Sequence, residues 1–483
     1  MEQTVLKEKS EKVTRVFHEN GIIINKWLSN LSDHFRKIPR FVADYLIATL
    51  VDSDDPAPGV EKINHLMVEN FVDSEQKEWI KSQIKEKGKH HLLGNIRCRY
   101  DQAKDEYWAE IGVLGDQYVR ISPYIIAEYG DILLTTGAWG TIEVAFDTSF
   151  VIRGRLYPFV VIDFKPFQIT QLNLDKWIER RCEFSDKEWI DLLINSIGFN
   201  PNTLSQEEKF IYLIRLLPFV ETNVNLVELG PPETGKTFNY RSLSSHGFVV
   251  SGSKTTIASL FYHKLRRKLG VIGYKDCVMF DEIAHADLNG QDDLISMLKD
   301  FMNTGRFGRD TTEFASECSV VFAGNIDCDR NNKCVKGYYK HLFMPLPRII
   351  QNDRAFLDRI HGYIPGWLAP QIAESKLSKD YGFTADYLSE IMHKLRSRNY
   401  SHILMEHVDF GQMTQRNQTS VIRMASGLLK LIFPHKDSGT IESHELKMVL
   451  DIALDLRKRV IDQLAIIAPA EFGDVKLSYK IKE

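Results

Sequence analysis

Gly230-Pro-Pro-Glu-Thr-Gly-Lys-Thr237 is the stretch on which the reading of this chain turns. It fits G-x-x-x-x-G-K-[ST] in full, follows the apolar run Val224-Asn-Leu-Val-Glu-Leu229, and opens into helix-compatible sequence, which is the context the motif needs. Gly230 and Gly235 let the backbone curl so that its N–H groups face a phosphate. Lys236 can then reach the β- and γ-phosphates, and the Thr237 hydroxyl can bind Mg²⁺. The expected cradle is Gly230, Pro231, Pro232, Glu233, Thr234, Gly235, Lys236 and Thr237, with Phe238 following, and the expected cofactors are ATP and Mg²⁺.

A cradle alone does not hydrolyse. Further on, Cys277-Val-Met-Phe-Asp281-Glu282 reads as a buried parallel strand ending in two acids. Ligands sit at the carboxyl ends of strands in open α/β sheets, so both acids should emerge at the phosphate site. Asp281 is expected to hold Mg²⁺ through water, and Glu282 to act as general base on the attacking water. A third strand, Ser319-Val-Val-Phe-Ala-Gly324, ends at Asn325, which can orient water, although a strand-ending Asn in a turn is also common. In Asn352-Asp-Arg-Ala-Phe-Leu-Asp-Arg-Ile360, Arg359 is the candidate to bind two phosphate oxygens at once. Arg354 is its rival, and a surface ion pair is the plain alternative for either. Arg416, in Thr414-Gln-Arg-Asn-Gln418, should open a helix near the nucleotide.

Outward from these motifs, strands alternate with helices from about 225 to 365, the pattern of a parallel α/β sheet. The reading is of a multidomain α/β protein: a helical N-terminal domain at 1–90, a β-rich domain at 91–170, the α/β core at 171–366, a helical region at 367–465 and a tail at 466–483. In the first of these, Ile22–Leu28 and Phe41–Ile47 have helical spacing. In the second, short stretches such as Ile96–Tyr100, Ile132–Gly140 and Pro158–Phe164 read as strands of a small barrel or sandwich. The 483 residues are 43% hydrophobic and 26% charged, an ordinary globular balance. A formal net charge of −4 excludes a tail-driven nucleic-acid binder but not a local basic channel. Six scattered cysteines without a C-x-x-C, no long apolar span and a charged N-terminus point to a cytoplasmic protein with no membrane partner. Cys328, Cys334 and His341 fit no standard zinc spacing.

With the motifs in line, the chain resembles AAA+ ATPases, and more narrowly the Lon-related AAA+ proteins of bacterial BREX phage-defence systems, the BrxL family. The resemblance rests on Ile132–Trp139, Val249–Thr256, Phe280-Asp-Glu-Ile-Ala284, Met297–Met302 with Gly305-Arg-Phe307, Phe322-Ala-Gly-Asn325 and Ser426–Ile432. It implies that Asn325 is sensor 1, that Arg359 is an arginine finger reaching a neighbouring subunit, and that Arg416 is a sensor-2 residue of a C-terminal helical lid. It implies an OB-like fold for the β-rich domain, a homo-hexameric ring with possible stacking of rings, likeness to MCM helicases, double-stranded DNA as partner, and other BREX defence proteins as further partners. Family members continue into a Lon-protease-like domain about where this sequence ends, so proteolysis is not expected of this polypeptide.

A DNA-threading ring needs cations on pore loops. Gly305-Arg-Phe-Gly-Arg309 lies where the resemblance places a DNA-gripping hairpin, which nominates Arg306 and Arg309. Lys264-Leu-Arg-Arg-Lys268 is a second basic run, more commonly a solvated helix face. Trp139 could stack on bases, though aromatics in short strands mostly pack. The expected function is an Mg-ATP-driven ring motor that moves on or remodels double-stranded DNA. The alternatives are a protein unfoldase, whose pores usually present an aromatic-hydrophobic loop, whereas here Phe307 is flanked by two arginines, which favours nucleic acid, and an ATP-gated scaffold that recruits other defence proteins.

Overall fold

In the computed structural model the described residues are 11–482, apart from 20, 33–34, 36, 53–54, 72–73, 103, 153, 168–171, 252–255, 265–267, 286–290 and 310–311. The chain forms two compact units: residues 18–171 with 384–387, and residues 1–17, 172–383 and 388–483. The boundaries expected at 90 and at 366 therefore do not separate compact units.

In the first unit, α1 (Arg40–Leu50) starts directly after Pro39 and is followed by α2 (Pro56–Asn70) and α3 (Lys77–Lys87). Then come β1 (Lys89–Asp101), β2 (Glu106–Ile111), β3 (Asp116–Ile121), α4 (Pro123–Leu133), β4 (Ala138–Phe146) and β5 (Phe159–Pro166). The five strands close into a barrel in the order β1-β2-β3-β5-β4. Strand alternation turns Ile96, Cys98, Ile142 and Val144 inward, and a register shift between β4 and β5 at Glu143/Val144 brings in both Val161 and Phe164. Ile80 and Ile84 of α3 and Ile125 and Leu133 of α4 join the same core, which fuses the helical and β-rich regions expected to be separate.

Two segments differ from the sequence reading. Ile22–Leu28 is not a helix: Ile23–Asn25 is extended, and a 3₁₀ turn at Lys26–Asn30 is capped by the Asn25 side chain, which accepts from the Trp27 N–H. Ile132 and Leu133 are not strand but the end of α4, which Pro123 opens; Gly137, at φ +76°, turns the chain into β4. The apolar, β-branched run hides that break.

In the second unit, capping boxes at Ser185/Glu188 and Ser205/Glu208 start α6 (Asp186–Ser196) and α7 (Gln206–Ile214), after α5 (Leu174–Arg181). Parallel strands β6 (Asn225–Gly230), β7 (Gly247–Ser251), β8 (Cys277–Asp281), β11 (Ser319–Asn325) and β12 (Gly362–Pro365) form one sheet in the order β7-β8-β11-β6-β12. The hairpin β9 (Arg306–Arg309) and β10 (Thr312–Ala315) precedes β11. The C-terminal region is helical as expected, with long helices at Gln415–Ile432 and Ser443–Ile467. Val460, Ile461 and Leu464 of the second of these share the core that holds Val227, Phe322 and Tyr363 of the sheet, so this helix belongs to the unit that carries the sheet. Among the described residues, no helix is long and apolar enough to cross a membrane.

Candidate active site

Parallel register brings three strand ends to one edge of the sheet. Gly230 stands opposite Asn325, and Asp281 ends the strand on the other side of β11. Lys236, 8% exposed, donates from Nζ to the carbonyls of Gly230 (2.9 Å) and Pro231 (2.6 Å) and to Asn325 Oδ1 (3.3 Å). Burial lowers its pKa. Thr237 Oγ1 donates to Asp281 Oδ2 at 2.9 Å. The sequence-nominated lysine, hydroxyl, acid and amide thus meet within hydrogen-bonding reach. A hydroxyl beside a carboxylate offers the hard oxygen donors that Mg²⁺ takes, and the lysine lies beside them for a polyphosphate, so the residues fit both cofactors.

The backbone at this edge is specialised. Gly235 caps the following helix at φ +75°. A Cβ on Gly230 would lie 2.5 Å from the carbonyl carbon of Gly366, so no side chain fits there. Glu282 is left-handed at φ +51°, exposed, with its N–H donating to Asp281 Oδ1 at 3.0 Å. A non-glycine residue in that region costs roughly 1–3 kcal/mol and persists where surrounding structure holds it.

Sequence reading missed what holds the cradle. Arg215 is fully buried beneath it and forks onto Glu228, Nε to Oε2 at 3.0 Å and Nη2 to Oε1 at 2.6 Å, while Nη1 donates to the Thr234 carbonyl at 2.9 Å. The available signal was Glu228 itself, an acid flanked by Leu226, Val227 and Leu229 in a wholly buried strand. Arg330 donates to the Pro232 carbonyl at 3.1 Å, and Ile372 N–H to the Glu233 carbonyl at 2.9 Å.

The arginines lie elsewhere. Arg359, His361, Arg416 and Arg423 line one cavity of 300 Å³. Asn225, the first residue of β6, donates to the Arg359 carbonyl at 3.3 Å, and Arg423 donates to the Asn223 carbonyl at 2.7 Å. This places the cavity at the start of the strand whose end carries the cradle, roughly 16 Å away along the strand. Arg416 is therefore not at its own chain's cradle, where the sequence reading had placed an ATP contact; it pairs with Asp358, which Arg457 also holds at 2.6 Å. Burial and the Arg416 charge lower the pKa of Arg359. Arg354 instead forms a surface pair with Glu471 at 2.8 Å.

In the hairpin, Arg306 is exposed and paired with Glu313 at 3.3 Å, whereas Phe307 is 3% exposed and packs on Phe261, Phe301 and Phe314. Arg309 ends β9, opposite Thr312. The core of Lys264–Lys268 and half of Val249–Thr256 lie outside the described residues. Trp139 packs edge-on against Phe41, in line with a packing role. In the barrel unit, cations that sequence patterning does not single out lie over rings, Arg99 over Tyr118 (4.5 Å), Lys104 over the buried Trp108 (5.0 Å), Arg120 over Phe150 (4.5 Å) and Arg155 over the buried Tyr157 (5.3 Å), forming a cation–ring surface.

Residues 159–478 match the model of the Lon-like protease BrxL-like ATPase domain, and residues 15–146 match that of the BREX system Lon protease-like protein BrxL N-terminal region. The chain belongs to the BrxL family. Two relatives named Lon-like protease BrxL align over 468 residues, 96% of this chain: one from Bacillus cereus (strain H3081.97), 36% identical, and one from Escherichia coli O9:H4 (strain HS), 33% identical. The aligned part spans 68% and 66% of their lengths, about two thirds. Among solved structures, a full-length MCM homolog from Methanopyrus kandleri aligns over 77% of this chain and 78% of its own, with a TM-score of 0.42 and 14% identity. Within the BrxL family, the ATPase-domain match spans the cradle, both acids, Asn325 and the arginine cavity.

Proposed function

We propose that the chain is an Mg-ATP-hydrolysing AAA+ ring motor that binds double-stranded DNA and moves on or remodels it in BREX defence. The observation that carries this is the Thr237 hydroxyl on the Asp281 carboxylate, with Lys236 beside Asn325, in a BrxL ATPase domain. ATP with Mg²⁺ supplies the γ-phosphoryl and part of the charge neutralisation when bound. With these bound, Lys236 would exchange its carbonyl partners for phosphate oxygens, Thr237 and Asp281 would hold the metal, Asn325 would orient water, and exposed Glu282 would accept its proton.

Arg359 and Arg416 cannot complete this site from the far end of their own β6. We assign them to the cradle of an adjoining copy, which makes the competent site a property of a ring rather than of one chain. Arg306 and Arg309 of the hairpin and the cation–ring surface of the barrel are the proposed DNA contacts. Phe307, buried against Phe261, Phe301 and Phe314, is not available as an aromatic pore residue of the kind an unfoldase pore presents.

The test is ATP turnover with and without duplex DNA, beside Glu282→Gln. DNA-stimulated turnover that Glu282→Gln abolishes supports the motor. Turnover indifferent to DNA, with no retention on DNA, contradicts it, and phage defence that survives Glu282→Gln points to a scaffold.

A further inference from the structure

At the opposite ends of β7 and β8 lies a second concentration of ligating side chains. His246 directly precedes β7 and Asp276 directly precedes β8, while one helix, Ala385–Arg396, carries Glu390 and His393 to them. His246 is 4% exposed, and its Nε2 lies 2.8 Å from Glu390 Oε1. A carboxylate only accepts, so Nε2 is the donor, and in the neutral ring Nδ1 carries a lone pair. That Nδ1 is buried with no hydrogen-bond partner among the described residues, 3.9 Å from Asp276 Oδ2. His393 Nδ1 stands 2.7 Å from the same oxygen. One ligand atom from each of His246, Asp276 and His393 falls within 4.8 Å of the others. Asp276 Oδ1 is turned to Arg396 Nε at 3.5 Å, leaving Oδ2 to the histidines.

A buried lone pair facing a carboxylate oxygen is repulsive unless a cation lies between them. We propose that His246, Asp276 and His393 form a site for a zinc-class divalent metal, with Glu390 fixing the His246 ring as an outer carboxylate. Imidazole and carboxylate donors suit that class, and a carboxylate on the far nitrogen of a ligating histidine is the usual means of setting its tautomer. The two rings now stack 4.1 Å apart and 4° from parallel, so His393 must turn to bring its nitrogen onto the metal. Its side chain is 42% exposed, which leaves room for that turn and a path for entry. Metal here would pin the 385–396 helix to β8, the strand that ends in Asp281.

The experiment uses the full chain, stripped with a chelator and then dialysed against Zn²⁺ in excess Mg²⁺, reading bound zinc and the thermal midpoint. We expect about one retained zinc per chain and a zinc-dependent rise in midpoint, with affinity falling on the order of 10–100-fold in Glu390→Gln and further in His393→Ala. His393→Ala alters a partly exposed position; if it does not fold, Glu390→Gln alone decides. No retained zinc would leave His246 Nδ1 to a proton, and zinc held equally well by the variants would assign the metal elsewhere; either result overturns the site.

Discussion

Glu282 combines three properties that suit a general base at this edge: it follows Asp281, whose carboxylate accepts from Thr237, it is exposed, and its backbone is left-handed. Glu282→Gln should lower turnover by about 10²–10⁴-fold while nucleotide binding, followed by calorimetry, stays close to wild type. Equal loss of binding would move Glu282 out of the proton-transfer role. Arg215 has a different task, since it touches no candidate reactant but forks onto Glu228 and holds the Thr234 carbonyl. Removing one partner of such a buried pair strands the other charge, so Arg215→Ala should destabilise the chain by about 3–5 kcal/mol in chemical denaturation. The cradle residues were legible because their types and spacing are dictated by phosphate and metal chemistry. Arg215 was not, because its role depends on a helix end and a strand meeting, and no local spacing encodes that meeting. Arg416 stands out in the sequence as an arginine opening a helix, but its place beside Arg359 and Arg423 does not, since that follows from which end of β6 its helix abuts.

Among elements, the hairpin separates stability from binding. Phe307 is its buried anchor, and Phe307→Ala should cost about 3–5 kcal/mol. Arg306 sits in an exposed pair with Glu313, so Arg306→Ala should change stability by less than about 1 kcal/mol. In the proposed DNA role it should weaken duplex binding and reduce the salt slope of binding by about one, measured by titration across ionic strengths. An unchanged slope would take this residue off the DNA. In the barrel unit, Asp44 is fully buried and accepts from Lys26 Nζ at 2.6 Å and Arg40 Nε at 2.7 Å. Burial alone would raise its pKa, but Lys26 and Arg40 together bring it below the ordinary carboxylate value. Its contribution is complete above the unfolded carboxylate pKa and is lost as pH falls through the lowered folded one. Asp44→Asn should therefore destabilise strongly at neutral pH and flatten the acid limb of a stability–pH profile. The barrel strands were readable from alternation. The end of α4 was not, since Ile132-Leu-Leu-Thr-Thr136 has strand composition and only Gly137 marks the change. The Ile22–Leu28 stretch shows helical spacing, yet Asn25 caps a 3₁₀ turn inside it.

At the scale of the molecule, parallel strand order explains both what one chain has and what it lacks. Carboxyl ends collect the cradle, Asp281 and Asn325; the start of β6 collects Arg359, Arg416 and Arg423. Because a strand length separates them, hydrolysis should need two copies facing head to tail. The direct measurement mixes two inactive variants, Lys236→Ala and Arg359→Ala, in equal amounts under conditions where both assemble. Random rings then contain whole sites wherever an intact cradle meets an intact arginine, on the order of a quarter of all interfaces. Recovery of ATP turnover to about that fraction of wild type is the result this account predicts; co-assembled rings that stay as inactive as either variant alone would contradict it.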